Sequence, residues 1–554
     1  MANSLTFCFI FLSIWAANGQ ALVDINFIRA VKRQCPSCLD DKNQLTADAL
    51  SVKKLDISKQ NINNLIGFNF PNLKELDCSG NNIQSLPYII PLLLEKLVCD
   101  NNNLSNLGVE IPQNLRYLSC SNNKLELLPE NLPQSLDTLI ANHIKLRYFP
   151  TKFPTGLNYL DLSNNSLEEL DFTRLDSVQT IKLAHNRLKK ISKKAKLSAQ
   201  YLDLSNNYLS NLGKNWFIGV DTLLLAQNEI QKTVKLNAPQ LKYLDISRNY
   251  ISDLYISQLT GLRCIDFSYC QVRNLDQKFP PQLEQIICNN NHLKELPKEF
   301  PPNLTYINCD NNFIKTLPEV LPEKLKRLNC KNNRIEKIAE ILPLSLEILE
   351  CNQNALQKLP EKINNLQILD AGNNQISSLP NYAHSKLTQL YINHNLLADS
   401  NCLVNLPKKL LILDCSSNRI KYLSGALPDS LKAFICMGNS MDSVRCQYPP
   451  TLEILDFHNN LLGNLGATLP NSLVKLDCSQ NLLVELPNNL PNTLDVLLCN
   501  FNPLLTELPQ IPSNLRLLNV EATSLVCLPE TKPQVQVIAD IEKICGQIKL
   551  RQRN

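Results

Sequence analysis

Leu283–Pro297 reads LEQIICNNNHLKELP, and the same kinds of residue return at the same offsets in LTYINCDNNFIKTLP (Leu304–Pro318), LKRLNCKNNRIEKIA (Leu325–Ala339) and LEILECNQNALQKLP (Leu346–Pro360). The shared template is L-x-x-L-x-(C/L)-x-x-N-x-(L/I), repeated every 21 residues. A fixed period of this size marks a stacked repeat architecture. Earlier units open at Val52, Leu73, Leu94, Leu115, Leu136, Leu157, Val178, Ala199, Val220, Leu241 and Leu262. Later ones open at Leu366, Leu387, Leu410, Leu431, Leu452, Leu473, Leu494 and Leu515, making 23 turns in all. The step departs from 21 only before Leu366 (20) and before Leu410 (23).

One unit of this length cannot bury the apolar residues at its first, fourth, sixth and eleventh places. Around the fourth and sixth places the pattern alternates, which predicts a short strand with one face inward. Stacking then lays the strands side by side as a parallel sheet. At the ninth place the chain leaves the strand, and its inward backbone groups need partners. An asparagine there has an acceptor and two donors, enough to serve its own turn and the next. Asn81, Asn102, Asn123, Asn291, Asn312, Asn333 and Asn354 hold that place. Cys270 and Thr523 can substitute by hydrogen bonding, whereas Ile144 cannot and predicts a local weak point.

On these residues the chain is identified as a member of the leucine-rich repeat family over about residues 50–530. The expected fold is of the α/β repeat class, mostly β: a solenoid of about 23 turns with a concave parallel sheet and a largely extended convex side. Return segments such as Leu128-Pro129 with Leu132-Pro133, and Leu486-Pro487 with Leu490-Pro491, preset an extended backbone. These L-P-x-x-L-P repeats resemble bacterial effector leucine-rich repeat proteins, which the resemblance implies bind host signalling proteins. Some of those carry a ubiquitin-ligase domain after the repeats, an activity not carried over to the roughly 25 residues that follow here. From about Leu160 to Ile265 the paired prolines vanish, and that block is similar to Toll-like receptor ectodomains.

Residues 1–19 read as a signal peptide: an apolar run from Leu5 to Ala17, then Ala17-Asn18-Gly19 for cleavage. The run is too short to span a bilayer, no later segment is long and apolar enough, and the tail Arg551-Gln552-Arg553-Asn554 does not fit a lipid-anchor signal, so no membrane anchor is expected. Residues 20–50 form an N-terminal cap, 51–530 the solenoid, and 531–554 a capping helix and tail, with Ile538, Ile541, Ile544, Cys545 and Ile548 on one helical face.

Net charge is +4, from 55 basic and 51 acidic side chains, so no global field favours nucleic acid. Lys189, Lys190, Lys193, Lys194 and Lys196 form the densest basic run, read as a solvated loop ahead of a docking site for a sulfated glycan or acidic protein. Twenty cysteines in a secreted chain usually mean disulfides. Here Cys78, Cys99, Cys120, Cys288, Cys309, Cys330, Cys351, Cys415, Cys436, Cys478 and Cys499 fall on the inward sixth place, where buried thiols are expected. Better disulfide candidates are Cys527 with Cys545, and Cys35 with Cys38 or a neighbour. Read as a redox pair or half a zinc site, Cys35-Pro36-Ser37-Cys38 lacks the companion residues. Cys402 and Cys446, two turns apart, pair only if the 23-residue repeat bends. The six histidines are scattered, and no acid–base–nucleophile constellation, phosphate loop or dinucleotide motif is present, so neither an enzyme nor a cofactor is expected.

The outward third and fifth places form two rows. The third-place row holds Tyr117, Tyr159, Tyr201, Tyr243 and Tyr306, with Thr138, Thr180 and Thr222 between the first four, and further on Ile348, Ile368, Ile412, Ile454, Val496 and Leu517. Tyrosine offers contact area at low entropic cost, though Tyr and Thr also suit any exposed strand. Aligned apolar residues point to a partner, a second chain or a covering segment. The fifth-place row is acidic: Asp161, Asp203, Asp245, Asp266, Asp370, Asp414, Asp456 and Asp477, broken by Lys182. Glycosylation sequons start at Asn103, Asn164 and Asn303, at places expected to be exposed. The reading is a secreted, non-enzymatic protein that binds a protein partner on its concave face, with a decoy or modulator of innate-immune recognition as the use the resemblance implies. A lectin-like glycan or pattern binder and an effector acting inside a host cell are the alternatives.

Overall fold

The computed structural model describes residues 20–540, except 109, 151–152, 170–172, 174, 192–198, 211, 213–216, 218, 232–235, 237, 277, 364, 399–402, 467 and 529. The signal peptide expected at residues 1–19 lies outside the described residues, as do Lys193, Lys194, Lys196, Cys402 and Cys545. The chain divides into two compact units, Met1–Gln271 and Val272–Asn554.

The first unit opens with helix α1, Ile25–Gln34, capped by Asp24. The Asp24 carboxylate accepts the amides of Asn26 and Phe27 at 2.9 and 3.1 Å, and that of Asn63 from the first repeat at 2.8 Å. Burial alone would raise its pKa, but these amides outweigh it and hold the carboxyl below its ordinary value. Phe27 and Val31 are fully buried, and Phe27 lies against Phe68 with ring centroids 6.3 Å apart. The cap also closes the sheet's first edge. Gln34 on α1 accepts the Asp56 amide at 3.0 Å and donates to the Asp56 carbonyl, so one side-chain amide stands in for a missing strand. Cys35 and Cys38 are joined by a disulfide.

Beyond the cap, each repeat contributes a strand of three residues, because only the third to fifth places alternate out–in–out. In the first unit these run from Lys54–Asp56 to Cys264–Asp266. Pairing is parallel with matching places opposed, as in Tyr117↔Thr138 and Tyr159↔Thr180. The fourth-place residues Leu55, Leu76, Leu97 and Leu118 are at most 2% exposed, and the sixth-place Cys78, Cys99 and Cys120 are fully buried. Burying one such leucine contributes about 1.5–3 kcal/mol, so a column of them is the core. Most strands are entered through a tight turn in which the opening residue donates to the carbonyl three residues back. Leu115 does so to Pro112 at 3.1 Å and Leu136 to Pro133 at 3.1 Å.

The second unit repeats this plan from Gln285–Ile287 onward. The irregular steps leave the register intact: Ile348 still opposes Ile368 and Gln389 opposes Ile412. The extra or missing residues are absorbed by the return segments. Those segments are extended, and Tyr422–Ala426 even pairs with Ser443–Gln447 as a parallel two-stranded ribbon. No α-helix follows Gln34 among the described residues. After residue 530 a further strand, Gln536–Ile538, lies parallel to Leu517–Asn519, so Ile538, the first residue of the expected capping helix, stands in strand. The open edge left by Leu517–Asn519 supplies hydrogen-bond partners that favour strand at Gln536–Ile538, and the other residues of the expected helix, Ile541, Ile544, Cys545 and Ile548, fall outside the described ones. Residues 541–554 lie outside the described residues.

Candidate interaction face of the sheet

The outward rows are positioned by the turn that leaves each strand. Three devices hold it. The first is the ninth-place asparagine. Asn102 accepts the Ile83 amide at 3.0 Å and donates to the carbonyls of Cys78 and Cys99 at 2.9 and 3.2 Å. Asn81 and Asn123 make the same set, as do Asn312, Asn333 and Asn354 in the second unit, and Asn291 accepts the Val272 amide at 3.0 Å. The asparagine therefore serves its own turn and the preceding one, the reverse of the expected direction. The sixth-place carbonyl of each turn, such as that of Cys78, faces forward along the stack, so the next turn's asparagine is the one that reaches it. Of the expected substitutes, the Cys270 thiol bonds the Ile246 carbonyl at 3.3 Å and the Thr523 hydroxyl bonds that of Val520 at 2.8 Å.

The second device went unread in the sequence. The eighth residue sits in the left-handed region, at φ 54 in Asn101, 55 in Asn206 and 56 in Asn290. Asparagine tolerates that region better than other chiral residues. The doubled Asn-Asn of the template is its signal: the first asparagine for the backbone, the second for the ladder.

The third device explains the acidic row. Asp203 accepts the amide and hydroxyl of Ser205 at 3.0 and 2.5 Å, and Asp161, Asp245 and Asp266 accept the amides of Ser163, Ser247 and Ser268. Asp414 and Asp477 hold Ser416 and Ser479 in the same way, and Asp456 the His458 amide. The carboxylates fasten the turn below the sheet edge. Some are desolvated as a result. Burial raises the Asp266 carboxyl, with Asp245 adding to it, and burial likewise raises Asp370 and Asp456.

The aromatic row is half-exposed. Tyr117, Tyr159, Tyr201 and Tyr243 alternate with threonines in the first unit, and Tyr306 stands in the second. Lys96 lies over the Tyr117 ring at 5.1 Å, Lys182 over Tyr159 at 5.3 Å and Arg327 over Tyr306 at 5.8 Å. The Tyr159 hydroxyl beside it raises Lys182 above its ordinary value. Arg327 and Lys331 both reach the Glu350 carboxylate, at 2.8 and 2.7 Å. Burial opposes them, yet the two cations keep Glu350 below the usual carboxyl value. Burial, and then the neighbouring Asp245, push the Tyr243 hydroxyl up to about 12. The face is thus an amphipathic tyrosine–threonine strip edged by fixed charge.

Ile348 and Ile368 oppose each other and are half-exposed, Ile412 is half-exposed one strand beyond Gln389, and Ile454, beyond Ala433, is 38% exposed. Asn103, Asn164 and Asn303 are also half-exposed rather than free on the surface. Asn164 occupies the left-handed eighth place, and Asn303 accepts a bond from Lys324 at 2.8 Å. The sixth-place cysteines are buried thiols, and burial raises Cys78 and Cys309 to about 12. Cys446 is likewise a buried thiol. Cys527 is held in a disulfide, its expected partner Cys545 being outside the described residues. No described helix is long and apolar enough to cross a membrane.

The Leucine Rich Repeat family model matches residues 72–93 and 114–136. The fold is similar to that of YopM from Yersinia enterocolitica WA-314, at 29% identity and a TM-score of 0.58, covering 89% of this chain and 93% of that one. It also resembles InlJ from Listeria monocytogenes, whose functional domain includes a cysteine ladder, at 21% identity and a TM-score of 0.51 over 73% of this chain and 82% of that one. The plant peptide hormone receptor RGFR1, in complex with RGF2, matches at 20% identity and a TM-score of 0.52 over 89% of this chain and 95% of that one. No curated protein matches the chain. The template, the parallel stack and these likenesses agree: the chain is a leucine-rich repeat protein.

Proposed function

We propose that this chain is a secreted, non-enzymatic binding protein that holds a protein partner against the tyrosine–threonine row. The observation that carries this is the division of labour on the sheet. The acidic row is engaged in fastening turns, whereas the hydroxyl-tipped rings of Tyr159, Tyr201 and Tyr243 project half-exposed at every second turn with threonines between. Rigid aromatic area with a polar tip suits a protein surface. In the second unit the same row carries Ile348, Ile368, Ile412 and Ile454, with Gln389 and Ala433 between them, and these apolar side chains argue against a purely saccharide groove. Use as a decoy or modulator of innate-immune recognition rests on family resemblance alone. The experiment is affinity capture with residues 20–554 beside a Tyr159→Ala/Tyr201→Ala/Tyr243→Ala variant. Proteins retained by the first and lost by the second support the reading. Identical retention by both removes the tyrosines from it.

A further inference from the structure

Outside the sheet face, the second unit carries a cluster of basic side chains that the turns themselves do not need. The tenth places of three successive repeats hold His292, Phe313 and Arg334. Their amides are pinned to the preceding turn, Phe313 to the Leu293 carbonyl at 2.8 Å and Arg334 to that of Ile314 at 2.9 Å. The side chains therefore stack in order. His292 is parallel to Phe313 with ring centroids 5.8 Å apart, and the Arg334 guanidinium lies 4.8 Å from the Phe313 centroid. Lys294 and Lys315, at the twelfth places, join Phe313 and Arg334 in lining an open depression of about 520 Å³. Arg273 continues the twelfth-place column one turn earlier, and Glu336 ends it one turn later.

We propose that this edge binds a sulfated glycan chain, independently of any protein held on the sheet. Lys294, Lys315 and Arg334 make no ion pair with a carboxylate among the described residues, whereas Arg327 and Lys331 of the same repeat as Arg334 are consumed by Glu350. Cations one turn apart, about 5 Å, form a line that a chain bearing repeated anionic groups can follow. The stack chooses among polyanions. Its neighbours on either side lie against the faces of Phe313, so that ring offers no free face to a nucleobase. The lining also has no second apolar side chain to seat a peptide residue. What remains is an oriented guanidinium and two mobile ammonium groups, suited to sulfate oxygens on a polar saccharide.

The test is calorimetric titration of the full chain with a heparin-type sulfated octasaccharide, its desulfated counterpart, and a single-stranded oligonucleotide of equal charge. Lys294→Gln/Lys315→Gln and, separately, Arg334→Gln are expected to weaken the octasaccharide about tenfold. Lys408→Gln/Lys409→Gln removes the same charge from exposed positions elsewhere in the unit and is expected to leave binding unchanged. The Tyr159→Ala/Tyr201→Ala/Tyr243→Ala variant keeps the octasaccharide in full, which separates this site from the sheet face. Equal binding of the desulfated sugar, tighter binding of the oligonucleotide, or an equal loss in the Lys408/Lys409 control overturns the proposal.

Discussion

Asn207 reaches back one turn to accept the Leu188 amide at 3.0 Å, while its own amide group donates to the carbonyls of Leu183 and Leu204 at 3.0 and 3.1 Å. One buried side chain thereby satisfies three backbone groups on two turns. Asn207→Ala leaves the Leu188 amide in the core without its acceptor, at about 1–3 kcal/mol, while the Leu183 and Leu204 carbonyls keep the side chains of Asn186 and Asn228 at 3.1 and 3.0 Å. The expected outcome is a local loss centred on two turns rather than uniform softening, because each repeat meets only its neighbours. Hydrogen exchange read at Leu188 and at Leu223, the latter fully buried in the following strand, checks this: protection falls at the first and holds at the second.

Ile144 provides the natural counterpart. It is fully buried at a ladder place, and the Leu125 amide, which by the pattern of Leu104 with Asn123 and Leu146 with Asn165 would bond there, has no acceptor among the described residues. Leu125 is expected to exchange faster than Leu104 and Leu146, although all three are fully buried. Equal protection at the three positions would show that the turn relaxes around the isoleucine.

Most of this architecture is legible in the sequence because its period does the structural work. Once Leu283, Leu304 and Leu325 are aligned, the register Gln285↔Tyr306↔Arg327 follows. So does the row on which each tyrosine stands. What the period does not encode is the direction of hydrogen bonds inside a turn. Asn312 at the ninth place looks the same whether it serves the turn ahead or the turn behind, and only backbone geometry decides. The left-handed eighth residue was legible in Asn-Asn pairs such as Asn101-Asn102, yet Tyr269 and Phe501 hide it by adopting the same φ of 53 and 54. The final strand, Gln536–Ile538, has no template residues at all and exists because the preceding strand offers an edge.

That left-handed place gives a stabilising substitution. Gln227 sits at φ 56 with an exposed side chain. Its long side chain has the ordinary steric penalty there, about 1–2 kcal/mol, part of which asparagine recovers through local hydrogen bonding. Gln227→Asn is expected to raise stability by about 0.5–1 kcal/mol, measured as a shift in denaturant midpoint at unchanged slope. A lowered midpoint would mean that Gln227 makes contacts in the fold that outweigh its backbone strain.

The acidic row gives a dependence on pH whose sign can be worked out. Burial, with Asp245 beside it, raises the folded-state pKa of Asp266 above its unfolded value. The stability associated with this group is therefore fully present below the unfolded carboxyl pKa, about 3.9, and is lost as pH rises through the folded value. At neutral pH the folded chain holds a desolvated charge that the unfolded chain hydrates freely. Asp266→Asn removes the charge but keeps an oxygen to accept the Ser268 amide, now 2.8 Å from the carboxylate. The variant is expected to be more stable than the parent near pH 7 and to lose that advantage by about pH 3, where the parent carboxyl is protonated in both states. Thermal or denaturant midpoints of the two proteins at both pH values decide it. An advantage that persists at acid pH would trace the effect to packing rather than charge, and a deficit at neutral pH would show that the carboxylate's hold on Ser268 outweighs the cost of burying it.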